Sequence, residues 1–209
     1  MPRKKACYVN EVDPIKDVEK IDLIKHILAM GENGQRNLLL FTLGINTAYL
    51  ISDLTALKFT NLLEVKQNKV HAKAQIMMKE TDVGKKIYIH LTKKMQRDIL
   101  AFMQDQHPTW YEVGDLDHYI FISRMHNGGE RAISRHQVWS IISEAATKAG
   151  LKNIGPHSMR KTFGYHLYKN GTDIKLIQDI LNHSSTTITC RYIGIAQEDK
   201  GQPVHSPGL

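Results

Sequence analysis

Four residues suited to phosphate chemistry lie within one stretch, GPHSMRKTFGYHLYKNGTDIKLIQDILNHSSTTITCRYIG, residues 155–194. His157 and Arg160 are three apart, so a helix makes them neighbours on one face. His183 follows a second helical pattern, and Tyr192 stands nine residues further on. Arginine offers a planar fork that grips two oxygens of a phosphate, and histidine donates or shuttles a proton near neutral pH. A tyrosine hydroxyl can attack phosphorus to give a covalent phosphotyrosine. Spacing alone leaves a plainer alternative open, because a histidine at a helix start is often a cap or a core residue and a tyrosine near a C-terminus often packs.

Three predicted helices carry these residues, over 157–170, 173–182 and about 186–193. Upstream, VEKIDLIKHILAMG sets Ile21, Ile24, Ile27 and Leu28 on one stripe, with Gly31 as the expected C-cap. Residues 35–48 read as a second, more apolar helix, and Ser52-Asp53 supplies N-cap chemistry for a short third one through Lys58. Leu50 then falls in or beside the turn between two helices. Residues 69–78 and 86–92, separated by KETDVGK, predict a β-hairpin, and Thr92 caps the helix KKMQRDILAFMQ. A loop containing Pro108, Trp110 and Gly114 leads to the buried segment YIFIS and a turn at NGG. Ser134 caps the helix RHQVWSIISEAATKAG, ended by Gly150. The fold class expected is mixed α+β, mainly helical, with one small antiparallel hairpin. The expected division is a basic arm over 1–17, one domain over 18–195 and a flexible tail over 196–209.

With 209 residues and 42% hydrophobic content, the chain can bury one sizeable core. No apolar run is long enough to span a membrane and MPRKKACYVN lacks a signal-peptide core, so no membrane association and a cytoplasmic location are expected. Cys7 and Cys190 have no ligand spacing and read as free thiols. The net charge of +7 points to a polyanion partner, nucleic acid first. Arg3, Lys4 and Lys5 in the arm, Lys79 and Lys85 in the predicted hairpin, Arg131, Arg135 and His136 near a helix start, and Lys161 beside Arg160 are the candidate contacts to a DNA backbone, with solvated surface charge the alternative for each.

The stretch 155–194 closely resembles the tyrosine recombinase, or phage integrase, family. HSMRKTFGYHLYKNG is similar to its HxxR helix, and IQDILNHSSTTITCRYIG to its LGH box followed by the nucleophilic tyrosine. The resemblance runs from about residue 11 to residue 200. It implies a catalytic domain that binds duplex DNA, cuts one strand by tyrosine attack and reseals it without an external energy source. No metal and no cofactor are implied. By position, Arg160 matches the second arginine, His157 and His183 the two histidine positions, and Tyr192 the nucleophile. Asn182 stands for the glycine of the LGH box. The resemblance is to compact members similar to fimbrial invertases, since no clamping domain fits before residue 18. Site selection is then expected to need a homo-oligomer on DNA or an accessory protein.

Two positions depart from the family. NTAYLISDLTALKF resembles TGLRISELLALK, which puts Leu50 at the first arginine, with Ala48 and Tyr49 replacing glycine and leucine. KETDVGKKIYIHL resembles the lysine-bearing hairpin and puts Asp82 at the lysine, with Lys79 and Lys85 the nearest substitutes. Losing one donor to transition-state charge costs about 3–4 kcal/mol, and an aspartate about 6 Å from the phosphate adds roughly 3 kcal/mol of repulsion at an effective dielectric of about 20. The expectation is therefore a DNA-binding regulator of a phage or mobile element with weak or absent strand cleavage. The alternatives are an active integrase or invertase working through Tyr192, and a protein-interaction module that does not bind DNA.

Overall fold

The computed structural model describes residues 12–80, 86–123 and 130–195, with the side chains of 78–80 and 86 left aside. Helices α1 (Val18–Ala29), α2 (Gly34–Asn46), α3 (Ile51–Thr55) and α4 (Phe59–Leu62) come first, followed by β1 (Leu63–Lys66), β2 (Lys69–Ala72), β3 (Gln75–Glu80) and β4 (Lys86–His90). Helices α5 (Lys93–Gln106), α6 (Pro108–Val113), α7 (Arg135–Lys148), α8 (Pro156–Lys169), α9 (Ile174–Leu181) and α10 (Thr186–Ile193) complete the order. Among the described residues the fold is mainly helical, as the sequence pattern implies, with two small antiparallel ribbons where one hairpin was expected.

Several boundaries differ from expectation for local reasons. Asp17 caps α1 through Glu19 N, and the helix closes on Met30 before Gly31 is reached. Leu50, not Ser52, is the N-cap residue of α3, so Ser52 and Asp53 lie inside its first turn. The alternating run 69–78 is two strands in two hairpins: β2 pairs with β1 and β3 with β4. Strand periodicity reveals which face a residue takes but not its partner. At Lys73-Ala74 the chain passes between the ladders, with Lys73 N bonded to Leu62 O and Leu91 N to Ala74 O. Gln67 and Asn68, both at positive φ (51° and 58°), form the tight turn of the first hairpin. Pro108 opens α6 instead of a loop, because a proline at N1 gives up an N–H that has no helical partner there, and Gly114 (φ 70°) ends it.

Two apolar clusters organise the packing. The larger unites α1, α2, α5 and α7 with the first hairpin around Phe41, Phe59, Ile99 and Phe121. The smaller joins Phe163, Ile177, Leu181, Ile193 and Ile195, and Ala48 from the α2–α3 turn belongs to it. Burying each such aliphatic side chain contributes about 1.5–3 kcal/mol. This second cluster fixes the short helices that carry the candidate site.

Residues 12–17, within the stretch read as an arm, lie without regular secondary structure against α8, and Ile15 is buried. Arg3, Lys4, Lys5, Cys7, Asp82, Lys85, the NGG turn and the tail 196–209 lie outside the described residues, as does the side chain of Lys79.

Candidate active site

Helix α8 packs on α9 and α10 closely enough that a Cβ at Gly164 would lie 2.7 Å from Ile193 Cγ2 and 3.2 Å from Leu181 Cδ1. The absence of that Cβ lets the helix bearing Arg160 approach the helix bearing Tyr192. Asp173 caps α9 through Lys175 N and Leu176 N, and Asn182 ends it in the left-handed region at φ 53°. Asparagine tolerates that conformation better than other non-glycine residues, which explains how it stands in for glycine here. His183 follows at once, its N–H on Gln178 O and its carbonyl accepting from Gln178 Nε2. Ser185 then caps α10, which closes on Gly194 at φ 77°.

Arg160, His183 and Tyr192 converge. Arg160 donates through Nη2 to Leu181 O at 2.9 Å, where the terminal carbonyls of α9 favour a cation. The His183 and Tyr192 rings meet edge to face, with centroids 4.8 Å apart and planes at 70°. His183 Nδ1 lies 3.1 Å from Thr189 Oγ1, whose own hydroxyl donates to Ser185 O. With the Thr189 proton on Ser185 O, the histidine donates on that contact from Nδ1, the tautomer that leaves Nε2 as an acceptor.

Electrostatics follow from burial and from Arg160. Burial lowers the His183 pKa and the Arg160 charge lowers it further, so the ring is neutral at pH 7. Burial raises the Tyr192 hydroxyl, against the opposing pull of Arg160. Burial also lowers Arg160, while Tyr192 and Asp53 pull it back up; a guanidinium so placed keeps its proton. A protonated phenol beside a neutral histidine and a fixed guanidinium has the parts for attack on a phosphate: a nucleophile, an acceptor for its proton and a clamp for charge.

His157 stands exposed one turn before Arg160 and makes no described hydrogen bond to this group. Leu50 is 45% exposed at the start of α3. Asp53, one turn into that helix, lies within electrostatic range of both Arg160 and Tyr49. The first turn of α3 therefore comes within electrostatic range of the Arg160 guanidinium through Asp53, and the residue at its cap, Leu50, is uncharged. Tyr49 is buried, its hydroxyl donating to Met77 O at 3.4 Å and pushed up to about 12 by burial and then by Asp53. Met77 adjoins a break in the β3–β4 register between Met77 and Lys79, so Tyr49 ties the α3 start to the hairpin. Asp53, Tyr49 and Thr189 were not singled out as site residues in the sequence. Their signals were positional: Asp53 is three after Leu50, and Thr189 is one turn before Tyr192.

Among the cationic candidates, Arg131, Arg135 and His136 are exposed around the start of α7. Trp139, also exposed, lies beside Gly155, two residues before His157. Lys161 does not point outward as a backbone contact would: it is 9% exposed and its amino group donates to Val12 O at 2.8 Å.

Residues 17–199 match the model of the Phage integrase family. The chain belongs to that family. It is 38% identical over 187 residues to Probable integrase/recombinase YoeC of Bacillus subtilis (strain 168), covering 90% of this chain and 92% of that protein. Among solved structures, the XerA recombinase superposes with a TM-score of 0.63 at 20% identity, covering 98% of this chain and 68% of the other. XerH site-specific recombinase bound to difH substrate also gives 0.63, at 19% identity, over 92% of this chain and 52% of that one. These likenesses establish the phage integrase fold over the whole described core. No helix among the described residues is long and apolar enough to cross a membrane.

Proposed function

We propose that this phage integrase family member binds duplex DNA and cleaves it weakly or not at all, acting as a DNA-binding regulator of a phage or mobile element. The observation that carries the reading is the cap of α3: Leu50, which by the resemblance stands at the family's first arginine, caps a helix whose Asp53 acts electrostatically on Arg160, and it brings no second guanidinium to the clamp. In an active member, the Tyr192 hydroxyl would attack phosphorus, its proton passing to an acceptor such as His183 Nε2, while the 5′ oxygen leaves and takes up a proton. One missing donor to transition-state charge lowers the rate by about 10²–10³. By the resemblance, Asp82 stands in the sequence where the family has the lysine that protonates the leaving oxygen.

Binding draws on different groups. Phosphate contacts from many lysines and arginines carry most affinity for duplex DNA, and the chain keeps 28 of them. Arg135 and His136 on α7, with Arg131 just before it, supply an exposed basic surface. XerH in complex with difH shares the fold, which supports DNA as the partner. The basic residues 3–5 add to the same charge.

A second reading, an active integrase or invertase, is supported by the convergence of Arg160, His183 and Tyr192. One experiment separates the two. Duplex affinity is measured by anisotropy across a salt series, and the same protein is incubated with nicked suicide duplexes. The proposal expects salt-dependent binding, with affinity falling about 10³-fold or more between about 50 and 200 mM salt, and no adduct surviving denaturation. A Tyr192-dependent adduct from the wild-type chain makes the second reading the correct one. Absence of binding at any salt refutes both.

A further inference from the structure

The segment 12–17 is held by polar side chains of α8. Thr162 Oγ1 accepts from Ile15 N at 2.8 Å, His166 Nε2 bonds Ile15 O at 3.0 Å, and Lys161 Nζ donates to Val12 O at 2.8 Å. Asp13 N adds a bond to Asn153 O at 2.9 Å. At the far end of the segment, Lys16 Nζ donates to Gly194 O at 2.9 Å, closing the helix that carries Tyr192. The segment is thus a strap between α8 and the end of α10.

Lys161 is the link in this strap that touches chemistry. A buried ammonium requires partners, and here it has two: the Val12 carbonyl and the face of the Tyr192 ring, whose centroid lies 5.3 Å from Nζ. The same ring meets the His183 edge at 4.8 Å. A tyrosine on an eight-residue helix has two free side-chain torsions. The ammonium on its face and the histidine at its edge are contacts that restrict both.

We propose that Lys161 is a positioning residue for Tyr192, its ammonium aimed at the tyrosine ring by the Val12 carbonyl of the strap. This rests on the reading of Tyr192 as the nucleophile. Orientation matters there because a misplacement of about 1 Å costs about 10²-fold in rate. A neutral side chain at 161 leaves the ring free to turn, whereas a cation of similar reach restores it.

The test uses the full chain carrying 3-fluorotyrosine, with the Tyr192 fluorine signal assigned by its loss in Tyr192→Phe. Lys161→Met and Lys161→Gln are compared with Lys161→Arg. Glutamine keeps a donor for Val12 O without the charge, so one neutral variant remains readable if the methionine variant is unstable. The expected result is displacement and broadening of the Tyr192 signal in the neutral variants and its return toward the wild-type position in Lys161→Arg. An unmoved signal in the neutral variants, or equal displacement in the arginine variant, overturns the proposal. In a Leu50→Arg/Asp82→Lys background, Lys161→Met is expected to slow adduct formation on nicked duplexes about 10²-fold with unchanged duplex affinity, and an unchanged rate overturns the proposal. If that background forms no adduct, the nucleophile reading fails separately, and the fluorine spectra still decide the placement of the ring.

Discussion

Replacing Gly164 with alanine puts a methyl group into the contact that joins the two halves of the candidate site. The new Cβ would sit 2.7 Å from Ile193 Cγ2 and 3.2 Å from Leu181 Cδ1. Neither neighbour can yield easily: both are buried, Ile193 fully, and a β-branched side chain in a helix has one strongly preferred rotamer. Overpacking of this kind costs about 1–3 kcal/mol, against a helix-propensity gain of about 1 kcal/mol. The net loss is about 1 kcal/mol, a fall of about 2–4 °C in Tm for a domain of this size. Gly44→Ala is the control, because its Cβ would meet Met159 Sδ at 2.5 Å and Cε at 3.0 Å. A thioether adapts more readily than a branched side chain, so that variant should lose less. The assay is thermal unfolding together with hydrogen exchange, with faster exchange confined to α9 and α10 in Gly164→Ala. A Gly164→Ala protein as stable as wild type, with α10 exchange unchanged, refutes the close packing of α8 on α10 as the device that assembles the site.

Three further outcomes follow from named contacts. His118 stacks on Trp110 with centroids 3.6 Å apart, and its ring nitrogens meet Glu130 and Asp115. Burial lowers its pKa, but the hydrogen bonds to Glu130 and Asp115 outweigh this and the net shift is upward. A raised folded pKa contributes stability that is full below the unfolded value of about 6.5 and fades as pH rises through the folded value. The stability difference between wild type and His118→Gln, from urea unfolding, should therefore be larger at pH 5.5 than at pH 8.5. Ser134 and Gln137 form a reciprocal cap on α7 at 3.1 and 3.0 Å, so Ser134→Ala should cost about 1 kcal/mol by the same method. Arg135→Ala, at an exposed position, should weaken duplex binding and reduce the salt slope of the affinity by about one, read by anisotropy, with Tm unchanged.

How far the sequence revealed this protein differs between its parts. The C-terminal helices were legible to within about one residue: expected over 173–182 and about 186–193, they run Ile174–Leu181 and Thr186–Ile193, with Asp173 and Ser185 as their N-caps. The start of α7 was legible because Ser134 has N-cap chemistry, and the structure has it there. The hairpins were not, because continuous alternation from 69 to 78 hides a change of partner at Lys73-Ala74. At the site, spacing alone left packing roles open for His157, Arg160, His183 and Tyr192, and the family resemblance implied a shared site; the fold brings Arg160, His183 and Tyr192 together and leaves His157 exposed. The inward turn of Lys161 was hidden, because a lysine beside an arginine looks like surface charge until the helix phase and the strap are known. Asp53 was hidden by its role as an expected cap, whereas in the folded chain it lies inside the first turn of α3, within electrostatic range of Arg160.

The central claim is that the site lacks a charge at position 50 rather than a nucleophile at 192. The most direct measurement is covalent trapping on nicked suicide duplexes with wild type, Leu50→Arg/Asp82→Lys, and the same double variant carrying Tyr192→Phe. Duplex binding is measured in parallel for each. The account predicts binding by all three, an adduct from the double variant alone, and a gain of at least about 10²-fold over wild type. An adduct formed by wild type as fast as by the double variant, and abolished by Tyr192→Phe, contradicts it.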